Sequence, residues 1–212
     1  MQSTDPTTVL FVRHAHTSAL GVWLCGRACG VSLSSLGRAQ AIALAGSLKS
    51  TPLAALYSSP LERAHETASA IATRQSCGIE TCGDLTEIDF GEWTGQTFTA
   101  LEHDRRWQTF NAARASAIIP GGERPADAQL RAVGAATRLA AAHPGETIAL
   151  VTHADVIRMA LLHFLSRSMD LYHSLTIDPA SISTVVMSPS GAHVTSINRL
   201  ADLQPRPLQC HD

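Results

Sequence analysis

Two kinds of hydrophobic pattern alternate along this chain. Short apolar runs that contain β-branched residues are typical of buried strands, and they occupy residues 8–12, 54–58 and 147–152. Elsewhere apolar residues recur every three or four positions, which is typical of amphipathic helices. The clearest of these helical segments are 35–49, 98–115 and 126–142, with two more after the second and third strands.

Strands that alternate with helices predict an α/β fold, a three-layer α/β/α sandwich with a mainly parallel central sheet. A weaker strand at 79–82 and a terminal hairpin around Gly191 complete the predicted sheet. The sequence contains no internal repeat and no low-complexity segment, so we expect one domain over 1–212. Residues 201–212 include two prolines and little pattern, and are predicted to form a tail.

The helix after the second strand has a recognisable start. Ser59 is predicted to be its N-cap, Pro60 its first residue, and Glu62 the partner that completes a capping box. The segment 98–115 is predicted to form one continuous helix.

Polar residues follow three of the predicted strands. Arg13 and His14 come directly after the first strand, Arg63 lies in the first helical turn after the second, and His153 directly follows 147–152. In parallel sheets, ligands bind outside the carboxyl ends of the strands, where helix N-termini also present free N–H groups. We therefore expect these four side chains to converge at one edge of the sheet.

This set of side chains fits phosphoryl chemistry. Arginine matches phosphate oxygens two at a time, and a histidine in a positive environment stays neutral and can act as a nucleophile. A reaction of this kind also needs an acid to protonate the leaving oxygen. The run LTEIDFGEWTG at 85–95 offers three candidates, which are Glu87, Asp89 and Glu92.

Composition narrows the class of protein. The formal charge of −2 gives no reason to expect nucleic acid as a partner. No basic N-terminal segment with an apolar core and no membrane-spanning run is present, so we expect a cytoplasmic protein that does not bind membranes. Five cysteines at irregular spacing argue against a disulfide framework and against a zinc site. The sequence does not indicate an oligomeric state.

Four motifs together resemble the histidine phosphatase superfamily, also called the phosphoglycerate mutase-like family. They are VLFVRHAHT, LYSSPLERAHETA, LTEIDFGEWTG and IALVTHADVIR, in the family's order, and the resemblance covers residues 8–198. It implies a phosphomonoester hydrolase of the histidine acid phosphatase type, which needs no metal and no cofactor. The substrate is expected to be a small phosphorylated metabolite.

The resemblance also implies a role for each site residue. His14 carries the phosphoryl group, Arg13 and Arg63 clamp it, and His153 hydrogen-bonds its oxygens. Glu87 matches the family's acid, which would protonate the leaving alcohol and then activate water. Thr17 and Ala154 are further expected to contribute to substrate binding.

The sequence departs from the family pattern at three positions. Ala15 and Ala154 replace glycines, which costs strain if those positions need positive φ and little if they need only a small residue. We favour the second interpretation. His16 replaces the usual acid or amide and is expected to line the mouth of the pocket. The segment 96–124, termed the lid segment below, is expected to cover the active site with Trp107, Phe110, Arg105, Arg106 and Arg114 available for specificity.

The sequence allows three alternatives to a phosphatase. A phosphoglycerate mutase is disfavoured because Leu20 stands where mutases carry Asn and an Arg- and Pro-rich insertion is absent. A metal-dependent hydrolase built on His14 and His16 is disfavoured because Arg13 would repel the metal ion. A phosphate-binding module without turnover is the third. Sugar phosphates, three-carbon acids, nucleotides and nucleotide-loop precursors all remain possible substrates.

Overall fold

A six-stranded sheet forms the centre of the computed structural model, which describes residues 5–201. The strands are β1 (Thr7–Arg13), β2 (Ala55–Ser58), β3 (Glu80–Thr81), β4 (Thr147–Thr152), β5 (Ile182–Ser188) and β6 (Gly191–Arg199). Their order in the sheet is β3-β2-β4-β1-β5-β6. The first four pair in parallel, whereas β5 and β6 are antiparallel. The predicted mainly parallel sheet and its terminal hairpin are confirmed.

Helices cover both faces of this sheet. They are α1 (Ser35–Ser47), α2 (Glu62–Gln75), α3 (Phe98–Leu101), α4 (Arg105–Ala112), α5 (Pro125–Ala142) and α6 (Ala154–Phe164). Short 3₁₀ helices occupy Gly83–Leu85, Gly91–Trp93, Arg114–Ser116 and Met169–Ser174. One hydrophobic core joins α1 and α2 to one face of the sheet, and a second joins α5 and α6 to the other. The architecture is the predicted three-layer sandwich.

Side chains of the central strands alternate between these two cores, as the twofold periodicity of a strand requires. In β1, Val9 and Phe11 pack beneath α5 and α6, while Leu10 and Val12 pack beneath α1 and α2. Both faces are therefore buried, which explains why the strands read as continuous apolar runs. The weakly patterned strand at 79–82 is real but reduced to Glu80–Thr81.

The segment 98–115 is not one continuous helix, so that prediction was wrong. It contains the separate helices α3 and α4, and Asp104 begins the second by accepting a hydrogen bond from the Arg106 N–H at 2.7 Å. The other carboxylate oxygen of Asp104 accepts from the indole N–H of Trp93 at 3.1 Å. Asp104 therefore starts a new helix inside the apolar pattern and divides the segment in two. The aromatic residues of the segment pack in a third cluster, the lid core, with Phe90, Trp93 and Phe110 at its centre.

The predicted capping box at the start of α2 is also wrong. The helix begins at Glu62 after Leu61, which makes no side-chain capping bond. Ser59 instead contacts His153, and the carboxylate of Glu62 accepts a hydrogen bond from the N–H of Gly30 at 2.9 Å. Both side chains are used to position the loops around the sheet edge rather than to cap the helix.

The remaining sequence predictions concern the C-terminal tail, membrane-spanning helices and the cysteines. The predicted tail at 201–212 lies outside the described residues apart from Ala201. Within residues 5–201 no helix combines the length and apolar character needed to cross a lipid bilayer. The cysteines at 25, 29, 77 and 82 are free thiols.

Candidate active site

A cavity of about 390 Å³ opens at the edge of the sheet where β1, β2 and β4 end. The predicted site residues that line it are Arg13, His14, Thr17, Arg63, Glu87 and Ala154. This part of the cavity, together with the adjacent His153, is called the histidine end. The other lining residues considered below, called the lid end, are Trp107, Phe110, Asn111, Arg114, Asp155, Arg158, Tyr172 and His173.

His14 is held in one orientation and one tautomer. Its Nδ1 lies 2.8 Å from the carbonyl oxygen of Ala15, which can only accept, so Nδ1 carries the proton. The lone pair of the ring is therefore on Nε2. Burial, followed by the charges of Arg13 and Arg63, lowers the pKa of His14 well below its ordinary range. The imidazole is consequently neutral at physiological pH, as a nucleophile must be.

The two arginines at the histidine end are anchored but have donors to spare. Nη1 of Arg13 donates to the carbonyl of Ile177 at 2.6 Å, and Nη2 of Arg63 donates to the carbonyl of Gly26 at 2.8 Å. Nε of Arg13 and Nη1 of Arg63 are buried and have no hydrogen-bond partner among the described residues. Buried charged donors without partners are unfavourable, so their natural acceptor is a bound anion.

Thr67 connects α2 to the loop after β1, and it lies in the motif LYSSPLERAHETA, although the motif assigned it no role. Its hydroxyl donates to the carbonyl of Arg63 at 2.8 Å and accepts from the backbone N–H of Ala15 at 3.0 Å. The backbone N–H of His14 in turn donates to the carbonyl of Thr152 in β4 at 2.9 Å. His14 is thus tied to both neighbouring elements of the fold.

His153 lies beside His14, with the two ring centroids 5.2 Å apart, and its side chain is fully buried. Its Nε2 is 2.8 Å from the hydroxyl oxygen of Ser59, which also accepts a hydrogen bond from the N–H of Leu61. When Ser59 donates its proton to Nε2, the ring proton of His153 is on Nδ1. Within residues 5–201, Nδ1 has no hydrogen-bond partner.

Glu87 is the carboxylic acid of the loop 85–95 that lines the cavity. Burial, together with the nearby charge of Asp155, raises its pKa from 4.5 to about 8. The carboxyl is therefore protonated at neutral pH. Asp89 and Glu92 lie outside the cavity, where Asp89 accepts from the N–H of Gly91 and Glu92 pairs with Arg106.

The backbone of Glu87 is fixed by two arginines that the sequence did not single out. Its carbonyl accepts hydrogen bonds from Nε of Arg27 at 2.8 Å and from Nη2 of Arg131 at 3.2 Å. Both arginines also bind the carboxylate of Glu123, which belongs to the lid segment. This network connects the acid of the site to the lid.

The departures from the family pattern have simple structural consequences. Neither Ala15 nor Ala154 has a positive φ angle, which agrees with a requirement for small size only. The prediction for His16 was wrong, because its Nδ1 hydrogen-bonds the Ser34 hydroxyl at 2.8 Å and the ring does not line the cavity. That contact fixes the loop that precedes α1.

The lid segment contributes only some of the expected residues to the lining of the cavity. Trp107, Phe110 and Arg114 line the cavity as predicted, whereas Arg105 is exposed and Arg106 pairs with Asp104 and Glu92 on the outer surface. Asp155, in the first turn of α6, also lines the cavity.

The sequence did not single out five residues of the lid end, which are Asn111, Asp155, Arg158, Tyr172 and His173. Arg158 and Asp155 lie three positions apart on one face of α6, the helix that directly follows His153. This helical spacing could have indicated that both side chains lie near the site. Tyr172 and His173 come from a 3₁₀ helix far along the chain, and no local pattern places them at the cavity. Across residues 5–201, no group of three or more His, Cys, Asp or Glu side chains is arranged to hold a metal ion.

Comparison with known proteins adds relatives of similar sequence. Bifunctional protein Rv2228c of Mycobacterium tuberculosis is 33% identical over 193 residues, which are 88% of this chain and 52% of that protein. The chain thus spans about half the length of the mycobacterial relatives it matches first. Phosphoserine phosphatase 1 of Hydrogenobacter thermophilus is 28% identical over 211 residues, covering 96% of this chain and 97% of that protein.

A solved structure and a family model also match this chain. The structure of Bacillus stearothermophilus YhfR matches with a TM-score of 0.87 and 27% identity, covering 93% of this chain and 100% of that one. The family model described as histidine phosphatase superfamily (branch 1) matches residues 9–200, which include all four motifs and every residue of the histidine end. The chain therefore belongs to branch 1 of the histidine phosphatase superfamily.

Proposed function

We propose that this protein is a metal-independent phosphomonoesterase that acts on a small phosphorylated metabolite through a phosphohistidine intermediate on His14. The observation that carries the proposal is the fixed tautomer of His14, which presents a neutral Nε2 among unpartnered arginine donors. Similarity over nearly the full length to a protein named phosphoserine phosphatase supports hydrolysis as the outcome.

In the first step, Nε2 of His14 attacks the phosphorus atom of the bound ester. The N–P bond forms as the bond from phosphorus to the ester oxygen breaks, and the carboxylic acid of Glu87 gives its proton to the leaving oxygen. Arg13, Arg63 and Nδ1–H of His153 hydrogen-bond the other phosphoryl oxygens and stabilise their charge in the transition state.

In the second step, the Glu87 carboxylate takes a proton from a water molecule, whose oxygen attacks the phosphorus. The N–P bond breaks, inorganic phosphate leaves, and the lone pair returns to Nε2 of His14. The raised pKa of Glu87 suits both steps, because a group with a pKa of about 8 can give and take a proton near neutral pH.

The test compares hydrolysis of p-nitrophenyl phosphate by the native chain, by His14→Ala and by His16→Ala, all with a chelator present. We expect the native chain and His16→Ala to turn over, and His14→Ala to be inactive. A phosphohistidine trapped by acid-free quenching should be present only when His14 is present. Loss of activity on addition of chelator and in both variants would overturn the proposal, because a metal site would need both histidines.

A further inference from the structure

The lid end of the cavity contains an arginine that the proposed reaction does not use. Arg114 begins the short 3₁₀ helix Arg114–Ser116 of the lid segment, and only 2% of its surface is exposed. Its guanidinium lies between two aromatic rings, with its central carbon 4.0 Å from the ring centroid of Phe110 and 3.4 Å from that of Tyr172. Stacking on both sides fixes the plane of the group.

The stacked rings are themselves held in place. The hydroxyl of Tyr172 accepts a hydrogen bond from Nη1 of Arg158 at 2.7 Å, and Nε of Arg158 donates to the carbonyl of Leu175 at 2.8 Å. Nη2 of Arg114 donates to the side-chain oxygen of Asn111 at 2.8 Å. The orientation of Arg114 is therefore set before any ligand binds.

The remaining donors of Arg114 have no use within the described part of the chain. Nε and Nη1 are buried without hydrogen-bond partners, which leaves three N–H groups unsatisfied. By contrast, the half-buried Arg131 uses its N–H groups to fix carbonyl and carboxylate oxygens. A buried, oriented and unsatisfied guanidinium on a cavity wall is a binding site for an anionic group.

The charge balance limits what this anionic group can be. Arg114 and Arg158 carry two positive charges at the lid end, and Asp155, 3.4 Å from Arg158, carries one negative charge. The net charge of +1 matches a single negative charge. A carboxylate fits this balance better than a second phosphate group, which carries close to two negative charges and would be repelled by Asp155.

We propose that the substrate is a phosphate monoester that also carries a carboxylate, and that Arg114 is the specificity residue that binds this carboxylate. The inference rests on the proposed function, since it assumes that the phosphoryl group occupies the histidine end. The ester is then held at two points, and the carboxylate fixes the distance of its oxygen from Glu87.

The experiment measures binding of 3-phosphoglycerate and of glycerol 3-phosphate, which differ only in having a carboxylate or a hydroxymethyl group. Titration calorimetry in the His14→Ala background avoids turnover. We expect 3-phosphoglycerate to bind about ten- to a hundredfold more tightly, which is the usual worth of a charge-assisted hydrogen bond. Adding Arg114→Gln should abolish this preference, and Arg114→Lys should restore part of it.

Arg105→Gln is the matched control, because it removes an exposed arginine of the same segment that does not line the cavity. Its preference for the carboxylate should equal that of the parent. Equal binding of the two esters, binding of neither, or a preference that survives Arg114→Gln would overturn the inference. Failure of the proposed function would appear separately, as the absence of p-nitrophenyl phosphate turnover by the native chain.

Discussion

The two ends of the cavity are built in different ways. At the histidine end, His14 follows β1 directly, and backbone hydrogen bonds to Thr152 and through Thr67 fix its position. At the lid end, Arg114 is placed by stacking between Phe110 and Tyr172 and by one side-chain hydrogen bond. The first end depends on the sheet and the second on side-chain packing. Substitutions should therefore reduce the reaction rate at the first end and change selectivity at the second.

The largest effect that distinguishes the ends is expected from Glu87→Gln. Without its acid, the protein should hydrolyse alkyl phosphates about a hundred- to ten-thousandfold more slowly. Attack on p-nitrophenyl phosphate should suffer much less, because nitrophenolate leaves without protonation. Rapid-mixing kinetics should then show a burst of nitrophenolate followed by slow turnover, since dephosphorylation of His14 also needs Glu87.

Glu92→Gln is the control for that variant, because it removes an exposed carboxylate of the same loop that pairs with Arg106 outside the cavity. Equal losses on alkyl and nitrophenyl esters in Glu87→Gln would contradict a role in protonating the leaving group.

A smaller and more specific effect concerns pH. Glu87 must be protonated in the first step, so kcat/KM for an alkyl phosphate should fall as the pH rises through about 8. Asp155 raises the pKa of Glu87, although less than burial does, so Asp155→Asn should move this decline to lower pH. Above the decline, each unit of movement lowers kcat/KM about tenfold. A pH–rate profile of both proteins measures the movement.

Asp127→Asn serves as the comparison for this change, since Asp127 pairs with Arg124 on the exposed start of α5. A decline at the same pH in the native chain and in Asp155→Asn would show that the charge of Asp155 does not act on Glu87.

The smallest effect should come from the lid end. Replacing Tyr172 by Leu removes one of the two rings stacked on Arg114, so the preference for 3-phosphoglycerate over glycerol 3-phosphate should fall about two- to tenfold. Tyr172→Phe keeps the ring and should retain more of the preference. Hydrolysis of p-nitrophenyl phosphate, followed in parallel, should change less than the preference does in Tyr172→Leu. If Tyr172→Leu reduced the rate of p-nitrophenyl phosphate hydrolysis more than the preference between the two esters, the two ends would not differ in function as proposed.

The sequence predicted one end of the cavity much better than the other. Arg13 ends β1, and His14 and His153 directly follow β1 and β4, so recognising the buried strands was enough to bring them to one edge. The choice of Glu87 among three carboxylates needed the family resemblance, because 85–95 is a loop without regular periodicity. The structure puts Glu87 at the cavity and the other two acids outside it.

The lid end could not be predicted because its residues meet through packing between distant parts of the chain. Arg114 and Tyr172 are 58 positions apart, and neither belongs to a motif. The predicted continuous helix at 98–115 failed for a related reason, since Asp104 caps α4 while bonding Trp93. Ser59 was misassigned because a serine before a helix usually caps it, whereas here it holds His153.

The lid core has a consequence for how this protein can diversify. Its aromatic residues form a cluster distinct from the two cores that join helices to the sheet. The lid segment therefore has its own hydrophobic support. We expect that residues such as Arg114 can be exchanged over evolutionary time, which would change the preferred ester, while His14 and the packing that holds it are inherited unchanged.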